Sequence, residues 1–262
     1  MAEEHVIWVY AIISVLEPGL LDGLTGIGGE QVRVVTEHDV GAVIGSVDAR
    51  MFGEEALQQS LAQPGELEAV ARAHHHIVET VAAAQAAIPA RLATVYRDET
   101  GVRDLLAERG DEFAGTLRWL SSRLELGVKV WADPSLLAGE GTAEQVDITP
   151  DGGAAAGAGT LYLRQRRAHL TAREAGHQHA TRLSDEIHAM LAGLAVSACL
   201  HAAQDPRSGD DHSQMVLNGA YLVDSARAEE FSAAAVASGQ EGARVEVTGP
   251  WPPYSFADGP DR

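Results

Sequence analysis

No other stretch of this chain limits its backbone as tightly as Gly249-Pro250-Trp251-Pro252-Pro253-Tyr254-Ser255-Phe256, close to its end. Each proline holds φ at about −65° and removes a backbone donor, so neither a helix nor an inner strand is expected to pass through them. The preceding Ala243-Arg244-Val245-Glu246-Val247-Thr248 alternates as a strand does, and is expected to stop there. Beyond it the chain reads as a stiff extended segment carrying Trp251, Tyr254 and Phe256. Proline has already restricted the unfolded chain, so docking these rings loses less conformational entropy than it would in a flexible tail. The tail either closes its own domain by lying across a sheet or docks on a partner, and one surface can serve both.

Composition narrows the partners. The chain has 262 residues, enough for one large or two small domains, and a formal net charge of −19. That charge argues against nucleic acid and anionic membranes, whose phosphates need clustered Lys and Arg. The single cysteine, Cys199, sits in an apolar run, suits a reducing compartment and reads as a small buried residue. No basic segment precedes the apolar run from Val6 to Val15, which is too short to span a bilayer, so the expectation is a soluble, unexported, cytoplasmic protein. The one lysine, Lys129, belongs to no phosphate-loop pattern, and the glycines from Gly23 to Gly29 lack the order of a dinucleotide loop. No cofactor is expected.

Periodicity then divides the chain. Val6 to Ser14 reads as a buried strand, and Gln31 to Thr36 with Val40 to Val47 as a hairpin around His38-Asp39. A short helix over 53–62 comes next, then a longer one over 66–87 with Leu67, Val70, Ile77, Val81 and Ala84 on one stripe. His74 lies on that stripe, whereas His75 and His76 turn away. Adjacent helical residues point about 100° apart and cannot close on one ion, so a hydrogen-bonded, half-buried His74 is expected rather than a metal site. His177 and His179 diverge in the same way.

Ile88 to Tyr96 reads as a strand entered through Pro89, with helices over 101–109 and 111–122 after it. Leu124 to Ala132 is a strand with Val128 and Val130 facing one way. Residues 139–159 are rich in Gly and Ala without periodicity and read as a flexible loop with neither nucleophile nor base. One long helix, or two with a break at Gly176, is expected over 160–203, with the stripe Leu183, Ile187, Met190, Leu194 and Ala198 in the second half. Its first half carries Arg164, Arg166, Arg167 and Arg173, either a solvated face or a seat for an acidic partner. A strand over 214–223, a helix over 226–238 and the last strand complete the pattern.

This order implies an α+β protein of two domains. The first, 1–124, is expected to be a ferredoxin-like sheet with helices on one face. The second, 125–262, is expected to hold a smaller sheet, the long coiled-coil-like helix and the Pro/aromatic tail, 249–262.

The tail octapeptide resembles the C-terminal signature of the gas vesicle GvpF/GvpL family. Ile7-Trp8-Val9-Tyr10-Ala11-Ile12, Ala71-Arg72-Ala73-His74, and Pro89, Arg91, Thr94 and Val95 resemble further family patterns, as do Glu125, Gly127, Val128, Lys129 and Val130, and Asn218 to Val223. Ala93 and Leu126 stand where the family pattern has glycine and tryptophan, and both the F and the L branches stay open. The resemblance implies a non-enzymatic minor gas vesicle protein, located at the vesicle or in the cytoplasm. It would act in assembly of the shell and bind the apolar shell protein or other gas vesicle accessory proteins. Trp251, Tyr254, Phe256, Arg164 and Arg167 are the candidate partner-binding residues, motivated by clustered aromatics and localised positive charge. A scaffold for sibling accessory proteins is one alternative. A cofactor-independent enzyme is the other, and a deep pocket holding His74 beside Arg91 with a buried carboxylate would favour it.

Overall fold

The computed structural model describes residues 5–14, 19–53, 64–138, 158–203, 213–240 and 242–260. The expected helix over 53–62 and loop over 139–159 fall almost wholly outside them. Two compact units emerge: residues 1–125 with 224–226 and 250–262, and residues 126–223 with 227–249. The tail, assigned from sequence to the second domain, groups with the first.

The first unit is built on β1 (His5–Ile13), the centre of a sheet ordered β2-β3-β1-β4 with β2 at Arg33–Glu37, β3 at Val40–Asp48 and β4 at Ala87–Pro89. A further short strand, β5 (Val95–Tyr96), also pairs with β1. The ladders of this sheet are antiparallel, and β2 and β3 form the expected hairpin, with His38 turning at φ 53°. Every residue of β1 from Ile7 to Ile13 is buried. A strand without an exposed face needs cover on both sides, so helices on one face only, the sequence expectation, do not describe this sheet. Helix α1 (Ala49–Phe52) is short. Helix α2 (Pro64–Ala84) places Ile77, Val78 and Val81 in a cluster with Trp8, Tyr10 and Ile13. Helix α3 (Glu99–Leu120) packs on β2 and β3 with Val102, Leu106, Phe113 and Leu117 buried. It runs unbroken through Gly110, where two helices were expected, because a glycine inside a well-packed helix weakens it without stopping it.

The stretch expected as one strand over 88–96 is instead β4, a turn and β5. Ala93 sits in the turn at φ 66°. That left-handed conformation disfavours a Cβ by about 1–2 kcal/mol, so a glycine would sit here with less strain than alanine does.

The second unit runs β6 (Arg123–Ala132), α4 (Pro134–Ala138), α5 (Ala158–Leu194), β7 (Ser197–Leu200), β8 (Gln214–Asp224), α6 (Ala228–Ala237) and β9 (Ala243–Trp251). Its sheet order is β7-β8-β6-β9. Apart from short α4, this is β-α-β-β-α-β with the last strand beside the first and the third beside the second, the split βαβ of ferredoxin-like folds. The ferredoxin-like pattern therefore falls in this unit; the first has three strands before its first long helix and a different order.

Alternation along β6 buries Val128 and Val130 as expected. Helix α5 buries Ala180, Leu183, Ile187 and Leu191, whereas Met190 is 38% exposed, so the true stripe is rotated from the expected one. The helix also ends earlier than expected and gives way to β7, an edge strand in which Cys199 is only partly buried. Gly176 lets α4 approach α5: a Cβ there would lie 2.3 Å from the Leu137 carbonyl oxygen. In β8, Tyr221 is fully buried, packs on Phe231 and has its hydroxyl 3.0 Å from His188 Nδ1. Its ring lies over Gly219, where a Cβ would sit 2.7 Å from it.

Strand β9 does not stop before the prolines but continues through Gly249 and Pro250 to Trp251. Its place at the edge of the sheet explains this, since a missing N–H is tolerated where no neighbour needs it.

Candidate functional site

After Trp251 the chain makes no extended segment. Tyr254–Phe256 forms a single 3₁₀ turn, closed by the Phe256 N–H donating to Pro253 O at 3.1 Å. Pro252, Pro253 and Phe256 are buried. Phe256 meets Trp119 of α3 edge-on, with centroids 6.2 Å apart. Ser255 supplies the polar anchor: its N–H and its hydroxyl both donate to the Glu125 carboxylate, at 2.9 and 2.8 Å. Glu125 is itself buried, and loss of water pushes its carboxyl up despite those two bonds. Sequence reasoning singled out Glu125 and the tail separately and missed their pairing, because the partners are 130 residues apart. Beyond the turn, Gly259 takes φ 83° and approaches Thr116 so closely that a Cβ would lie 2.9 Å from its hydroxyl oxygen.

The tail thus divides its aromatics. Phe256 is an anchor, and its ring is not offered to a partner. Trp251 and Tyr254 stay 43% and 37% exposed, and both lie against His75 of α2, with centroids 6.0 and 6.2 Å from its ring. The three rings form a platform on the first unit. Beside it opens a cleft of about 630 Å³ between the end of α2, the turn after α3 and the tail. Ala82, Ala83 and Leu120 contribute apolar lining, Pro250 to Pro253 one wall, and every lining residue belongs to the first unit. Gln85 lines it too, and its carboxamide nitrogen is buried without a hydrogen-bond partner.

The other candidates lie elsewhere. Arg167 is exposed on α5 in the second unit, as are Arg166 and Arg173. Arg164 lies in the same helix, but its side chain falls outside the described residues.

The three neighbouring histidines of α2 have separate roles. His74 is 2% exposed, and its Nδ1 accepts from Trp8 Nε1 at 2.9 Å while Nε2 donates to Ala90 O at 3.1 Å. Burial holds its pKa down at about 4, so the ring is neutral near pH 7. His75 faces the tail and His76 is exposed. The arrangement that would favour an enzyme is not what surrounds His74: both its ring nitrogens are engaged, and Arg91 is exposed and paired with Asp258 at 3.4 Å. The nearby carboxylate of Glu30 is also engaged, accepting from the Tyr10 hydroxyl at 2.6 Å and the Gly28 N–H at 2.8 Å. Bare glycines make room for it, since a Cβ at Gly45 would lie 2.1 Å from Glu30 Oε1.

Comparison with known proteins fits this architecture. The crystal structure of the gas vesicle protein GvpF from Anabaena sp. PCC7120 has a similar fold, with a TM-score of 0.66 at 18% identity over 97% of this chain and 96% of that one. In sequence, the family model described as gas vesicle synthesis protein GvpL/GvpF matches residues 6–258. The chain is 38% identical to gas vesicle protein L of Streptomyces sp. (strain CB03234), over 98% of this chain and 94% of the relative. Its identity to gas vesicle protein F of the same strain is 25%, over 96% and 99%. The chain belongs to the gas vesicle GvpL/GvpF family, and that membership supports an accessory role in gas vesicle synthesis. Among the described residues no helix is long and apolar enough to cross a membrane.

Proposed function

We propose that this protein is a non-enzymatic assembly factor that binds the apolar shell protein of the gas vesicle and keeps it from aggregating before it joins the shell. The observation that carries the reading is the platform of Trp251, Tyr254 and His75, exposed aromatics held on a tail that is itself anchored by Phe256 and Glu125. Rings that are already ordered lose little entropy on binding, which is the property a docking surface needs. The formal charge of −19 helps to keep such a carrier dispersed while it holds an apolar cargo.

Removing the tail is a poor test, because Phe256 and the partners of Glu125 would leave the first unit with it. The better one is Trp251→Ala with Tyr254→Ala, which truncates the exposed rings and leaves the anchors. The protein is co-expressed with shell protein and accessory proteins of one gene cluster and captured from the soluble fraction. Shell protein should come with the wild-type chain and be reduced in the double variant. Capture of accessory proteins alone would replace this reading with that of a scaffold.

A further inference from the structure

From Arg166 to Ala175, α5 is exposed on nearly every side, with only Ala172 partly covered. Arg166, Arg167 and Arg173 stand here against a single acid, Glu174, which accepts instead from the Gln178 carboxamide at 3.1 Å. Many arginines elsewhere in this acidic chain find a carboxylate, as Arg33 and Arg103 do in Glu99, Arg109 in Glu112 and Arg227 in Glu230. Among the described residues the three on α5 find none. Arg166, Leu170, Arg173 and His177 recur at helical spacing and so share a stripe, and the same line runs on through Ala180, Ile187 and Leu191, which are buried. Before Gly176 that face keeps the spacing of a packed one but loses its cover, leaving Leu170 59% exposed.

The opposite charge stands on α3 of the first unit. Asp104, Glu108 and Asp111 are exposed on one stripe, and among the described residues none of them makes an ion pair, because the neighbouring Arg103 and Arg109 are held by Glu99 and Glu112. Asp104 and Asp111 are separated by the same helical rise as Arg166 and Arg173, about 10.5 Å, so the two stripes match over two ion pairs whichever way the helices run. Leu170 lies between the arginines and the small Ala107 between the acids, so closing the pairs also covers the leucine.

We propose that a second copy of this chain docks here, with the Arg166–Arg173 stripe of α5 in one copy lying against the Asp104–Asp111 stripe of α3 in the other. Each stripe lacks an ionic partner within its own chain and supplies what the other needs. The contact goes beyond the binding of shell protein and does not depend on it.

Sedimentation velocity of the full chain at about 0.15 M salt tests this, since a Debye length of about 8 Å screens the overall charge of −19 more than it screens pairs in contact. Exposed pairs are individually weak, so self-association is expected only as the protein approaches about 0.1–1 mM. Arg166→Glu with Arg173→Glu, and separately Asp104→Arg with Asp111→Arg, turn attraction into repulsion, and each should raise the concentration needed by about tenfold or more. An equimolar mixture of the two variants should associate as the wild type does, because each then carries the stripe that the other requires. Overall charge alone would act differently: the first variant is more acidic than the wild type and the second less so, and the second would then associate more readily. All three proteins should show the same thermal unfolding, as the altered side chains are exposed. A wild-type chain that stays monomeric throughout, or folded variants that fail to recover on mixing, would overturn the inference. Monomeric wild type that captures an acidic accessory protein through Arg166 and Arg173 would likewise overturn it and give α5 a different partner.

Discussion

Acidification should weaken the first unit through His74. The neutral ring fits because Nδ1 faces the Trp8 indole N–H as an acceptor; a proton there would set donor against donor in a buried site. Burial lowers the pKa from 6.5 to about 4. The unfolded chain therefore binds a proton that the folded one refuses. This contribution to stability is complete above about pH 6.5, falls as pH drops from there towards 4, and is constant below. The full effect is about 3 kcal/mol, and between pH 7.5 and pH 5.0 it amounts to about 2 kcal/mol. His74 is almost fully enclosed, so solvent screening does little to reduce it. Glu125 acts in the opposite sense, its raised pKa favouring the folded state as it protonates, so a wild-type profile alone mixes the two. Comparison with His74→Gln separates them: urea unfolding of both proteins is followed by near-UV circular dichroism at each pH. The wild-type protein should lose about 2 kcal/mol more than the variant on acidification, whatever the variant's stability at neutral pH. Parallel profiles, or a His74 ring that titrates near pH 6.5 by NMR, would refute the argument.

Phe256→Ala should destabilise the first unit by about 3–4 kcal/mol in the same assay, as the ring is buried against Trp119. Ser255→Ala leaves the buried Glu125 carboxylate one donor short and should cost about 1.5–3 kcal/mol, whereas Glu125→Gln, which keeps an acceptor and removes the charge, should be milder at pH 7. A smaller loss for the serine variant than for the glutamine variant would mean that the carboxylate has other support. Gly176→Val should destabilise the second unit by more than about 2 kcal/mol, because the atom it meets is main chain and not a side chain that can turn away. Hydrogen exchange of the α5 amides reports that directly.

Much of the fold was legible because it depends on local pattern. The β2–β3 hairpin, the burial of Val128 and Val130 on β6, and the inward turn of His74 from the Leu67–Val81 stripe of α2 come from periods of two and 3.6 residues, which any window of the chain displays. Expectation and structure part where a local signal had two solutions. Met190 and Leu191 are neighbours on α5, and only packing decided which faces the sheet. Gly110 weakens a helix locally by about 1 kcal/mol, and burial of Val102, Leu106, Phe113 and Leu117 carries α3 past it. Pro250 would end an inner strand, but β9 is an edge.

By itself the sequence determined the α+β class, the family, and the fact that a proline-rich segment with three aromatics must be ordered by packing, since these rest on composition, motif and short-range geometry. Which aromatics that packing would take was decided by tertiary structure alone. Phe256 is buried on Trp119 while Trp251 and Tyr254 remain open, because the Ser255 turn is tied to a carboxylate 130 residues away. A contact over that distance leaves no periodic trace in the chain. It exists only once folding has brought the two segments together.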